Sequence, residues 1–137
     1  LWQHLINYRC GTGHSVSFVG NVHEGPHSLR GTNSVVMRPG MVVTDEPGVY
    51  ETDLVGIRIE NELVCVHKAD NQYGTFLGFE PIMFVPIATS PIVPGVLTQD
   101  EIDWLNNYHR QVFEKLAPRL NEGERDWLAK KCAAIGC

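Results

Sequence analysis

The chain has 137 residues, 16 of them acidic and 11 Lys or Arg, so its formal net charge is −5. This length allows one compact domain and hardly two. A content of 43% hydrophobic and 20% charged residues excludes a disordered chain. Because phosphate binding needs a basic surface, the acidic balance argues against nucleic acid as a partner.

Two further features bear on the compartment and on membranes. The four cysteines are too few and too scattered for a disulfide framework, and none forms a CxxC pair. They are Cys10, Cys65, Cys132 and Cys137. We therefore predict reduced thiols in a cytoplasmic protein. The most apolar stretch, 81–96, contains four prolines and is too short to span a bilayer as a helix, which predicts no membrane association.

The beginning of the chain is predicted to be one helical end followed by extended segments. Residues 1–8 resemble the last turns of a helix, and the chain starts at Leu1 and not at Met, so we expect a fragment of a longer protein. Residues 14–22 are predicted as a strand with a bulge at Gly20, and 24–38 as a loop.

Three segments in the middle of the chain show strand patterns. Residues 41–44 are β-branched enough for a strand, and Pro47 with Gly48 indicates a turn. Residues 56–67 alternate apolar and charged side chains most regularly, and 76–87 form the last predicted strand.

The C-terminal third predicts two helices. Thr98 and Glu101 form a capping box ahead of apolar residues at helical spacing, and Pro118 ends that run. Asn121 and Glu124 are predicted to cap a second helix. Strands followed by helices, without βαβ alternation, predict an α+β fold with an antiparallel sheet followed by two C-terminal helices.

Four polar side chains stand at positions suited to metal chemistry, namely His14, His23, Glu46 and Glu60. A carboxylate inside an apolar strand, as predicted for Glu60, is costly to bury unless it is paired or bound to a metal. Imidazole and carboxylate ligands together suit Mn, Co, Fe or Zn. Arg58 shares the sheet face of Glu60. The residue types alone leave three alternatives open: a metal site, a structural Arg58–Glu60 ion pair, and a plain loop histidine at His23.

Four motifs together resemble aminopeptidase P, the Xaa-Pro aminopeptidase family of the pita-bread metallopeptidases. They are Cys-Gly-Thr-Gly-His at 10–14, Asn-Val-His-Glu-Gly-Pro at 21–26, Thr-Asp-Glu-Pro-Gly-Val-Tyr-Glu at 44–51 and Gly-Ile-Arg-Ile-Glu-Asn at 56–61. The segment Asp-Trp-Leu-Asn-Asn-Tyr-His at 103–109 resembles the C-terminal extension of the larger cytosolic members. The resemblance implies the C-terminal half of a pita-bread catalytic domain over 1–96 and a helical C-terminal extension over 97–137.

The resemblance also implies roles for individual residues. His14 matches a histidine that binds one metal, and Glu46 matches a ligand of that metal that takes and returns the proton of the attacking water. Glu60 matches the carboxylate that bridges both metals, and His23 matches the histidine that binds substrate and steadies the tetrahedral intermediate. Arg58, Tyr50 and Cys10 match positions next to the metal ligands, where side chains support those ligands.

The implied reaction is release of the N-terminal residue from peptides that have proline in second position. The implied cofactor is a pair of divalent metal ions, Mn(II) in this family, and the implied partners are the peptide substrates and a second copy of the parent protein in a homodimer. The family's site has five protein ligands, and two aspartates among them precede the match to His14. We therefore expect the isolated chain to hold three of the five ligands and to be inactive.

Two departures from the family pattern accompany the match. The family often has a histidine where this chain has Cys10, and glycines where it has Ser15 and Ser17, which are expected to narrow the cleft. Two alternatives stay open at this point. The first is a related pita-bread enzyme, such as prolidase, methionine aminopeptidase or creatinase. The second is a pita-bread module that binds proteins and has lost catalysis.

Overall fold

The computed structural model describes residues 5–136. The chain divides into two compact units, Leu1–Met83 and Phe84–Cys137. The predicted division into family domains at 96/97 stays a prediction.

The first unit is built on antiparallel strands. Its strands are β1 Gly13–Ser15, β2 Glu24–Leu29, β3 Val42–Asp45, β4 Gly48–Glu51, β5 Val55–Arg58, β6 Asn61–Asn71 and β7 Gly74–Pro81. Five of them form one sheet in the order β2-β1-β3-β6-β7, and β4 and β5 form a separate two-stranded sheet. All their pairings are antiparallel, which confirms the predicted sheet type.

The centre of the five-stranded sheet holds the best-buried side chains of this unit. Val43 of β3 is 0% exposed and Cys65 of β6 is 1% exposed. Val43 pairs with Ser15 on one side and with Leu63 on the other, so β3 is a central strand. Removing such side chains from water is the main stabilising term for a sheet of this size.

The β4–β5 hairpin is shaped by glycine around one aromatic ring. Tyr50 lies opposite Gly56, and Gly48 lies opposite Arg58. A Cβ atom at Gly48 would come within 2.7 Å of Cε2 of Tyr50, so only glycine lets the ring lie against the backbone there. The turn of the hairpin contains Asp53 at φ 58°, a left-handed conformation that Asp tolerates better than most residues.

The prediction of one continuous strand over 56–67 is wrong. The structure breaks it at Ile59 and Glu60, which belong to neither β5 nor β6. The break has a physical reason, because β5 pairs with β4 in one sheet whereas β6 pairs with β3 and β7 in the other. A strand that changes partners must leave one ladder before it enters the next.

Three other sequence predictions need correction. The strand predicted over 14–22 ends at Ser15, where the β1–β2 register shifts. The predicted loop over 24–38 contains β2, and its proline is tolerated because β2 lies at the edge of the sheet. The strand predicted over 76–87 ends at Pro81.

The predictions for residues 41–44, for the turn at Pro47-Gly48 and for residues 1–8 have different outcomes. The strand predicted over 41–44 is confirmed as β3. The turn predicted at Pro47-Gly48 is wrong, because Pro47 lies in a short link between β3 and β4 and Gly48 is the first residue of β4. Of the helix end predicted over 1–8, residues 5–8 are not helical and residues 1–4 lie outside the described part of the chain.

The second unit consists of an extended segment and two helices, α1 Gln99–Leu116 and α2 Glu122–Lys131, joined through a 3₁₀ turn, Ala117–Arg119. Both predicted capping boxes are confirmed, at Thr98 with Glu101 and at Asn121 with Glu124. In each box the cap side chain accepts from the third helical N–H, and the glutamate accepts from the cap N–H.

The helices meet around a small apolar core. Its buried members are Tyr108, Val112 and Leu128. Among the described residues no helix is both long and apolar enough to cross a membrane.

Candidate metal centre

His14 and Glu46 are brought together by neighbouring strands. His14 lies in β1, Glu46 directly follows β3, and these two strands are paired. Nε2 of His14 is 2.9 Å from Oε1 of Glu46, and both side chains are largely buried, with 16% and 10% exposure. The short link from β3 to β4 therefore aims the carboxylate across the sheet at the imidazole.

The other nitrogen of His14 determines what this contact means. Nδ1 is 2.9 Å from the carbonyl oxygen of Ser15, and since a carbonyl only accepts, Nδ1 carries the hydrogen. With the hydrogen on Nδ1, the lone pair of Nε2 points at the Glu46 carboxylate. A lone pair and a negatively charged oxygen repel each other at this distance unless a cation lies between them. That cation is either a proton on Nε2 or a metal ion, and Nδ1–H bonded to a carbonyl is the usual arrangement of a metal-binding histidine.

The spacing of the two ligand atoms fits a metal ion as well as a proton. Neighbouring ligands of an octahedral ion with bonds of about 2.1 Å are about 3 Å apart. His14 Nε2 and Glu46 Oε1 already have this separation. His14 and Glu46 therefore fit the metal that the sequence predicts for them.

Thr44 joins the two ligands through one buried hydroxyl group. Its Oγ1 accepts from the backbone N–H of His14 at 3.0 Å and donates to Oε1 of Glu46 at 3.0 Å. Thr44 is 2% exposed, so neither bond competes with water. Sequence reasoning did not single out this residue, although its position two residues before Glu46 on a strand puts both side chains on one face.

Arg58 holds the second oxygen of the carboxylate. Its Nη1 is 2.9 Å from Oε2 of Glu46, and the guanidinium carbon lies 5.5 Å from the centre of the Tyr50 ring. A hydrogen bond with the Cys10 side chain, followed by the charges of Tyr50 and Glu46, raises the pKa of Arg58 above its ordinary value. The Cys10 thiol itself donates to the carbonyl of Gly48 at 3.4 Å.

His23 completes the cluster from the loop between β1 and β2. Its ring centre is 4.1 Å from that of His14, and it is exposed. Ligand atoms of His14, His23 and Glu46 all lie within 4.8 Å of one another. These side chains border a cavity of about 280 Å³, whose lining is Cys10, Gly11, Gly13, His14, His23, Arg30, Glu46 and Arg58.

Glu60 is placed elsewhere. It is exposed in the break between β5 and β6, and it belongs neither to the cluster nor to the cavity lining in the part of the chain that the structure describes. The alternative of a structural Arg58–Glu60 ion pair is not found, because Arg58 pairs with Glu46. The bridging role of Glu60 stays a prediction.

Ser15 and Ser17 are also absent from the described lining of the cavity. The hydroxyl of Ser15 donates instead to the carbonyl of Glu24, and Ser15 is 2% exposed. The expectation that these serines narrow the substrate cleft stays a prediction. Arg30, which does border the cavity, was not found from the sequence because it lies outside the recognised motifs.

Comparison with known proteins places the chain among metallopeptidases. The sequence model described as metallopeptidase family M24 matches residues 1–67, and the model described as the C-terminal region of peptidase M24 matches residues 75–135. The chain is 46% identical to aminopeptidase P2 of Arabidopsis thaliana, over 93% of this chain and 19% of the relative. It is 40% identical to a probable Xaa-Pro aminopeptidase P of Coprinopsis cinerea, over 98% of this chain and 23% of the relative.

A solved structure has the same fold. It is the crystal structure of X-prolyl aminopeptidase from Caenorhabditis elegans, described as a cytosolic enzyme with a di-nuclear active site. It matches with a TM-score of 0.85 and 37% identity, over 98% of this chain and 23% of that chain. The chain thus spans about a fifth of the length of the relatives it matches. The predicted resemblance to aminopeptidase P and the predicted pita-bread origin of the fold are confirmed, and the chain belongs to metallopeptidase family M24.

Proposed function

We propose that the chain works as the C-terminal part of an Xaa-Pro aminopeptidase, which releases the N-terminal residue from peptides with proline in second position. One observation carries this proposal. The Nε2 atom of His14, with its hydrogen assigned to Nδ1, faces a carboxylate that Thr44 and Arg58 hold in place. This is a ligand pair prepared for a cation, on a chain whose relatives are named as aminopeptidases P.

His14, Glu46 and Glu60 would hold the metal, and we propose two Mn(II) ions in a cytosolic homodimer. When bound, such ions lower the pKa of a water molecule and polarise the scissile carbonyl. The comparison structure, described as cytosolic with a di-nuclear active site, supports the number of ions and the compartment.

The chain's own residues have separate tasks in this proposal. Glu46 accepts the proton of the attacking water, and Arg58 and Thr44 fix its orientation so that no rearrangement is needed during the reaction. His23, exposed at the rim next to His14, donates a hydrogen bond to the substrate carbonyl as negative charge develops on it.

A chimeric enzyme tests the proposal. Residues 1–137 replace the matching C-terminal part of the Arabidopsis thaliana relative, and release of alanine from Ala-Pro-Ala is measured with Mn(II). We expect the chimera to cleave Ala-Pro-Ala faster than the dipeptide Ala-Pro. Faster cleavage of the dipeptide would indicate a prolidase. A His14→Ala chimera should be inactive, and a Lys130→Ala chimera serves as the control outside the site.

A folded chimera without peptidase activity would be the contradicting result. A chimera that folds, as judged by circular dichroism and thermal melting, binds Mn(II) and yet leaves both peptides intact would contradict the proposed function. It would favour the non-catalytic binding module instead.

A further inference from the structure

The proline-rich stretch over 81–96 contains an exposed turn. The N–H of Ile92 donates to the carbonyl oxygen of Thr89 at 3.1 Å, so Ser90 and Pro91 occupy the two central positions of this turn. Ser90 is exposed, and no other serine or threonine of the chain is followed by proline. A serine that precedes proline in an exposed, irregular segment is what proline-directed protein kinases accept. The turn therefore presents the Ser90 hydroxyl in a context suited to such a kinase.

A cavity of the second unit separates this turn from α2. Its volume is about 350 Å³, and it is lined by residues 85–90 on one side and by Trp127, Lys130 and Lys131 on the other. Ser90 is thus a lining residue of the same cavity as the two lysines. The described lining includes no carboxylate and shares no residue with the cavity of the metal centre.

The charges of the two lysines are not balanced within the described chain. None of the ion pairs found over residues 5–136 includes Lys130 or Lys131. The ammonium group of Lys131 lies instead 5.9 Å from the centre of the Trp127 ring. Both lysines belong to the last turn of α2, whose end carries a partial negative charge of about half an elementary charge. Two full positive charges exceed it, so the cavity attracts an anion.

We propose that Ser90 is a phosphorylation site and that Lys130 and Lys131 bind its phosphate group. The phosphoryl donor is ATP, and a proline-directed serine/threonine kinase transfers the group. The Ser90 oxygen bonds to the γ-phosphorus, the bond from that phosphorus to the bridging oxygen of the departing ADP breaks, and the hydroxyl proton passes to the kinase. Phosphoserine carries about −1.5 to −2 charges at pH 7 and three acceptor oxygens, which match the N–H donors of two ammonium groups.

Phosphorylation would tie the segment 85–90 to α2 and so stabilise the second unit. This inference is independent of the proposed peptidase activity, because the cavity and the metal centre have no lining residue in common among those described. A chimera without activity would therefore leave it standing.

Phosphorylation in vitro tests the modification itself. The 137-residue chain is incubated with ATP and a cyclin-dependent kinase, and the phosphopeptides are mapped by mass spectrometry. We expect one phosphate, on Ser90, and none on the Ser90→Ala or Pro91→Ala variant. Thr89→Ala is the matched control, since it removes the neighbouring hydroxyl that no proline follows, and it should still be modified. A chain that gains no phosphate on Ser90 would overturn the inference.

A ³¹P NMR titration of the phosphorylated chain tests the role of the lysines. Ammonium groups favour the dianion, so the second pKa of the phosphoserine, ordinarily about 6, should be lower by about 0.5–1 in the folded chain than in concentrated urea. The double variant Lys130→Met, Lys131→Met should bring the two pKa values together. Lys115→Met is the matched control, because Lys115 is an exposed lysine outside the described lining, and it should keep the difference.

Equal pKa values in the folded and urea-denatured chain would overturn the inference, and so would a difference that survives the double variant. A chain that circular dichroism shows to be unfolded on its own is replaced by the chimera. The same variants are then compared in the peptide that contains Ser90 and in its ³¹P signal, with the same criteria.

Discussion

At the scale of single residues, the hydroxyl of Thr44 is the smallest part of the site with a distinct task. It connects the backbone of His14 to the carboxylate of Glu46 and is shielded from water. Replacing it with an apolar group of similar size leaves a buried N–H without its acceptor and frees the carboxylate to rotate. The loss of a group that orients a ligand lowers metal affinity by about 10–100-fold in other proteins.

We predict that Thr44→Val in the chimera weakens Mn(II) binding by about 10–100-fold, while Thr44→Ser, which keeps the hydroxyl, restores most of it. Mn(II) binding is followed by electron paramagnetic resonance, which detects the free ion. Equal affinity in the valine variant and the unmodified chimera would show that Thr44 does not orient Glu46.

Glu60 and His23 should respond differently to removal. If Glu60 bridges two ions, Glu60→Ala loses both metal content and turnover, because two cations are left facing each other with one carboxylate fewer. His23→Ala should keep its metal and lose about 10²–10³ in kcat, the usual cost of one hydrogen bond to a developing oxyanion. Metal analysis beside kinetics separates the two, with Glu51→Ala as the exposed control. Full metal occupancy with normal turnover in Glu60→Ala would rule out the bridge.

At the scale of secondary-structure elements, the extended segment that precedes α1 is held by a buried histidine. The N–H of Ile87 donates to Nε2 of His109 at 3.1 Å, and His109 is 0% exposed. The hydroxyl of Tyr108 donates to the carbonyl of Val85 at 2.9 Å. Burial lowers the pKa of His109 below its ordinary value, so the folded protein keeps this ring neutral.

The sign of the pH effect follows from this direction. Because the folded pKa of His109 is lower than the unfolded value of about 6.5, the stabilisation is complete above that pH and is lost as the pH falls through the folded pKa. We predict that the free energy of unfolding, measured by urea titration, falls between pH 7.5 and 5.5 by at most about 1.4 kcal/mol per pH unit from this group. In the His109→Gln variant, whose side chain cannot titrate, the free energy of unfolding should fall by less over this pH range. An identical pH dependence in both proteins would contradict the role given to His109.

The elements also show how far sequence reasoning reaches. Both helix starts were predictable because a capping box is local, with its partners three residues apart. The break at Ile59 and Glu60 was not predictable from the alternation of apolar and charged residues. It arises because β5 pairs with β4 whereas β6 pairs with β3, and these partners lie elsewhere in the sequence. His14 and Glu46 were recognisable through their motifs. Arg30 lies near the site because β2 pairs with β1 and places Ser28 opposite His14. The sequence predicted a loop over 24–38, so this pairing could not be foreseen.

At the scale of the whole molecule, the cluster formed by the described residues offers too little negative charge for two divalent ions. It contains two imidazoles and one carboxylate, and that carboxylate also pairs with Arg58. We predict that the purified 137-residue chain binds Mn(II) weakly and does not hydrolyse Ala-Pro-Ala. A coupled assay for released alanine, with the chimera as positive control, checks this. Turnover of the chain comparable with that of the chimera would show that it completes the site by itself or with a second copy.

The central claim is that a metal ion is shared by Nε2 of His14 and Oε1 of Glu46, which lie 2.9 Å apart. Anomalous diffraction at the manganese edge, from crystals of the chimera grown with Mn(II), tests it most directly. We predict an anomalous peak within about 2.0–2.3 Å of both atoms. A metal-loaded crystal in which His14 still contacts Glu46 directly, with the manganese peak bound to neither residue, would contradict the claim.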